Sequence, residues 1–75
     1  MQMKMQTETN LLINMFQSGR KEDVTDQQLN SLYQTLGNAE KLSHLEYDIL
    51  NILDNHALSL VDKKSAIQNI IDMNM

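Results

Sequence analysis

The chain has 75 residues, enough for one domain and one small core. A domain of this size buries only about 60% of the surface its unfolded chain exposes, so it has little stability to spare. The absence of cysteine excludes disulfides and thiolate zinc sites, leaving tight helix packing and self-association as the means of stabilisation, and it suits a reducing, cytoplasmic setting. Net charge is −4, and the six cations are scattered as Lys4, Arg20–Lys21, Lys41 and Lys63–Lys64, so direct nucleic-acid binding is not expected.

In chain order, residues 1–6 alternate Met with Gln and Lys and read as a disordered leader to a single helical domain spanning 1–75. They lack the apolar run of a signal peptide, and no apolar run anywhere is long enough to span a membrane. The spacing predicts a first helix over 7–18, with Leu11, Leu12, Met15 and Phe16 on one face and Gly19 as its stop. A second helix is expected over 25–36. Thr25 and Gln28 form a capping box, Leu29, Leu32, Tyr33 and Leu36 follow at helical spacing, and Gly37 ends it. Val24, just before the cap, is placed to act as a hydrophobic staple.

A third helix can begin at Asn38 or at the second capping box, Ser43–Glu46. Ala39 and Leu42 continue the apolar pattern backwards and favour the earlier start, giving 38–56. Its stripe is Leu42, Leu45, Ile49, Ile52 and His56, with Leu50, Leu53 and Ala57 beside it. An apolar face so wide needs cover on more than one side. A fourth helix is expected over 59–73, with Ile67, Ile70 and Ile71 on one face. No stretch alternates with period two, so the fold class is all-α, a small bundle of three to four helices. The expected core is Leu12, Phe16, Leu29, Leu32, Leu36, Leu45, Ile49, Ile52 and Leu53.

Chemistry-bearing residues are sparse. His44 and His56 lie twelve apart, which matches no common metal-ligand spacing, and both read as structural or surface histidines. A pH-sensing role stays open for either, because imidazole titrates near neutrality. Glu46 with Asp48, and Asp54 with His56, are conceivable acid–base pairs, but they read as solvated carboxylates. Neither a phosphate loop, a nucleophile elbow nor an HExxH motif is present, so no catalytic residue, metal or cofactor is expected. The surplus of apolar surface instead points to a protein partner and to a homodimer, with Leu42, Leu45, Ile49, Ile52, His56, Ile67, Ile70 and Ile71 as interface candidates.

The run Asn10–Phe16 followed by Ser18-Gly19-Arg20, then Val24-Thr25 and the Leu29, Leu32, Leu36 helix, then Leu42, Leu45 and Tyr47, resembles the small enterobacterial biofilm and acid-resistance regulators of the AriR/YmgB type. These are also described as two-component-system connector proteins. The stretch Val24–Tyr33 is similar to a helix opening in the Hha/YmoA modulators, without their Ala-Asp-His-Arg continuation, and the segment from Leu58 onward has no counterpart in either. The resemblance implies a small helical, often dimeric regulator that modulates a transcription or signalling protein by contact, and it carries no catalytic residue. The alternative from a different class is an acidic inhibitor or immunity-type protein that blocks one enzyme or toxin.

Overall fold

The computed structural model describes residues 7–74. It contains four α-helices: α1 (Thr7–Gln17), α2 (Asp26–Asn38), α3 (His44–Leu53) and α4 (Leu60–Asn74). A 3-10 turn, Lys21–Asp23, sits between α1 and α2, and there is no strand among the described residues. The expected leader, residues 1–6, lies outside the described residues.

Each helix end has a local cause. α1 closes in a Schellman turn, in which Arg20 N–H donates to the Met15 carbonyl at 2.9 Å and Gly19 N–H to the Phe16 carbonyl at 3.2 Å. Gly19 adopts φ 73°, the left-handed conformation that a side chain disfavours. α2 opens on the expected capping box: Gln28 N–H donates to Thr25 Oγ1 at 3.1 Å, and Thr25 N–H to Gln28 Oε1 at 2.8 Å. Val24 and Leu29, on either side of that cap, both join the core.

Three expected boundaries are corrected. Gly37 does not end α2: its φ is not positive, and the helix runs on to Asn38 before Ala39 turns extended at φ −74°, ψ 141°. The third helix starts at His44 rather than at Asn38, because Ser43 caps it. Glu46 N–H donates to Ser43 Oγ at 3.2 Å while Ser43 N–H donates to Glu46 Oε1 at 3.1 Å. That reciprocal pair satisfies two orphan amides, a gain that the apolar pattern of Ala39 and Leu42 cannot match. The same helix stops at Leu53, short of His56. Ala57 N–H bonds to Asn55 Oδ1 at 3.1 Å, so the asparagine side chain supplies a turn in which no glycine is needed. α4 follows with Ser59 accepting from Asp62 N–H at 3.2 Å.

α3 packs most extensively on α4 and then on α2, while α1 lies across both α4 and α2. All four helices feed one core. Leu12, Ile13 and Phe16 come from α1, Leu29, Leu32 and Leu36 from α2, Leu45, Ile49 and Leu53 from α3, and Ile67 and Ile71 from α4, with Val24 from the loop. The radius of gyration, 11.4 Å, agrees with the roughly 11 Å expected of a closed 75-residue fold. Eight of the nine expected core residues are buried; Ile52 is only half-buried, on the flank of α3.

The face of α1 is also corrected. Thr9, Leu12, Ile13 and Phe16 point inward, which leaves Leu11 59% exposed. The buried stripe is rotated because Thr9, a polar residue, is part of it.

Candidate functional site

Glu46 explains why Thr9 is buried. Oε2 of Glu46 accepts a hydrogen bond from Thr9 Oγ1 at 2.8 Å, and Oε1 accepts from both the N–H and the hydroxyl of Ser43 at 3.1 Å. The carboxylate is 1% exposed and ties the start of α3 to the start of α1. The expectation that Glu46 is a solvated surface carboxylate is therefore corrected. It is a structural acid, held inside because donors reach both of its oxygens. Asp48, its conceivable acid–base partner, is exposed.

The histidines stand apart. His44 is exposed in the first turn of α3, and His56 is exposed beyond its C-terminus. Nine further residues of α3 follow His44 before the helix ends, roughly 13 Å of rise. Among the described residues no group of three or more histidines and carboxylates is placed to hold a metal ion.

Tyr33 and Asp54 are two ionisable groups that meet. Tyr33 donates its hydroxyl to Asp54 Oδ1 at 2.5 Å, linking α2 to the end of α3. That bond, the negative charge of Asp54 and some loss of hydration hold the phenol above its ordinary value of 10.0. A raised folded value means that the folded state holds this proton more tightly. Its contribution to stability is complete below the unfolded value and fades as pH rises through the folded one. Urea titrations of the protein and of Tyr33→Phe should differ by a constant amount up to about pH 9 and converge above about pH 10. A difference that persists unchanged into strong alkali would contradict this linkage.

The spaces around Tyr33 are poor binding sites for small molecules. A cleft of about 100 Å³, lined by Asp26, Asn30, Tyr33, His56 and Lys63 among others, is well below the roughly 300 Å³ of the smallest usual ligand pockets. A wider trough of about 430 Å³ between α2 and α3 is shallow and rimmed by Gln34, Asn38 and Asn51.

Of the eight interface candidates, Leu45, Ile49, Ile67 and Ile71 are buried within the monomer. They are spent on the α3–α4 core, because α4 folds back onto α3 and covers its wide apolar face within one chain. Leu42, Ile52 and Ile70 stay half-buried at its edges, and His56 is exposed.

Among the described residues the large apolar side chains left exposed are Leu11, Tyr47, Val61 and Met73, and two of them line grooves. One is a groove of about 210 Å³ between α1 and α2, lined by Leu11, Leu12, Met15 and Leu32 together with Glu8, Gln28 and Ser31. The other is a groove of about 240 Å³ where the 3-10 turn meets the start of α4. There Val61, 71% exposed, lies among Lys21, Glu22, Lys64 and Ser65. The sequence pattern missed both. Helical spacing puts Leu11 on one face with Leu12, Met15 and Phe16, and it does not mark Val61 as exposed. No signal short of the helix rotation set by Thr9 and the cap at Ser59 separates them from core residues. No protein-family model matches this chain, and neither does any curated protein or any solved structure.

Proposed function

We propose that this chain is a regulatory interaction module that modulates a transcription or signalling protein by direct contact. The observation that supports this is the Val61 groove. A large apolar side chain stands in solvent, ringed by two lysines, a glutamate and a serine from two different elements. An apolar centre inside a polar rim is the anatomy of a protein contact surface. The Lys21–Lys64 pair suits an acidic surface on the partner. The AriR/YmgB-type resemblance agrees with this class of function, and its connector role is the form the proposal takes.

The lysines do not turn the groove into a nucleic-acid site. Glu22 lines the same groove, and Asp23 and Asp62 are exposed nearby in sequence. The proposed route to transcription is therefore through a protein, with no cofactor and no membrane. No helix among the described residues is long and apolar enough to cross one.

A photo-reactive amino acid placed at position 61 in living cells tests the reading. An adduct with a transcription or signalling protein supports the regulator. An adduct with a nuclease or toxin instead favours the inhibitor alternative, which the net charge of −4 also fits.

A further inference from the structure

Carboxylates outnumber cations in this chain by 10 to 6, so each lysine has acids enough to pair with. Among the described residues, Lys21 and Lys64 pair with none of them: neither makes a hydrogen bond or an ion pair. The reasons are local. On α4 the residues three and four positions either side of Lys64 are Leu60, Val61, Ile67 and Gln68, and none is acidic. Asp72, one turn further on, accepts from Gln68 Nε2 at 3.0 Å instead. Lys21 opens the 3-10 turn with Glu22 beside it, and successive residues on a helical turn do not face each other. Both lysines are half-buried, so part of each stem is already fixed and less freedom is lost when a partner takes the charged end.

We infer that the Val61 groove takes a protein segment in which an apolar side chain is flanked by carboxylates, the apolar group covering Val61 and the carboxylates pairing with Lys21 and Lys64. This rests on the reading of the groove as a protein contact and names the chemistry of what it meets. Two cations left without acids in an acidic chain are the complement of an anionic partner. Val61, Lys64 and Ser65 stand at i, i+3 and i+4 on one face of α4, so one segment can meet the apolar and the charged groups together. Ser65 adds a hydroxyl that has no partner among the described residues.

Size and charge select the kind of molecule. The groove, about 240 Å³, is below the roughly 300 Å³ of the smallest usual ligand pockets, which fits side chains borne by a larger molecule. Glu22 on the same lining repels an unbroken row of anions. Separated carboxylates on a polypeptide therefore fit better than a phosphate backbone.

Photo-cross-linking from position 61 in living cells tests this when it is repeated in lysine variants. Lys21→Glu and Lys64→Glu should each cut the adduct at least about fivefold, and Arg at either position should keep it within about twofold. Lys41→Glu makes the same change of net charge at an exposed site outside the groove and should leave the adduct within about twofold. The linked residue of the partner, mapped by mass spectrometry, should be followed or preceded by Asp or Glu within about four positions. Circular dichroism of the purified variants checks that they fold. Should either Glu variant lose helix, Gln at that position, which removes the charge alone, takes its place. An adduct indifferent to both lysines, one weakened as much by Lys41→Glu, or one linked to a segment without acids would overturn the inference and leave the Val61 contact standing. No adduct from the chain with its lysines intact would overturn the contact reading, and the inference with it.

Discussion

Replacing Ile49 with Asp should unfold the protein. Ile49 is 0% exposed at the middle of α3, inside the core that α3 shares with α2 and α4. The substitution removes an apolar side chain worth several kcal/mol in a core and leaves an unpaired carboxylate where no water reaches. A domain of this length has only roughly 4–11 kcal/mol of stability in total. The expected result is loss of the helical circular dichroism signal at room temperature. Ile49→Val should cost only about 1 kcal/mol and keep the fold. A folded Ile49→Asp protein with an intact cooperative transition would mean that α3 is packed differently.

The second large effect belongs to Glu46. Ala at this position strips acceptors from Thr9 and Ser43 and leaves buried donors unpaired, which should cost about 2–4 kcal/mol. Gln keeps a carbonyl acceptor and still completes a capping box, so it should fall between the wild type and Ala. Urea denaturation ranks the three. If Glu46→Ala lost less than about 0.5 kcal/mol, the carboxylate would be no part of what joins α1 to α3.

These two residues show what was legible in the sequence. The stripe of Leu45, Ile49 and Ile52 marks Ile49 as buried, because burial of apolar residues at helical spacing is a local pattern. The Thr25–Gln28 box was legible for the same reason, since both partners lie within one turn. Glu46 was half-legible. Its capping partner Ser43 is three residues away, but Thr9, which holds its other oxygen, is 37 residues away. No periodicity reports a contact at that distance. The same blind spot rotated the reading of α1 and hid the exposure of Leu11. It also moved Ile67 and Ile71 to a supposed interface, because only the return of α4 onto α3 makes them core. Gly37 misled differently: a glycine after an apolar run suggested a cap, but its φ is not positive and the helix passes through it.

The proposed mode of action is protein contact at the Val61 groove. Photo-cross-linking inside the cell tests that most directly, with the reactive side chain at position 61 and, as the control, at Asn69, which is exposed on the same helix. The expected result is one dominant heterologous adduct from position 61, identified by mass spectrometry as a transcription or signalling protein, and none of it from position 69. The same faint background from both positions would contradict it.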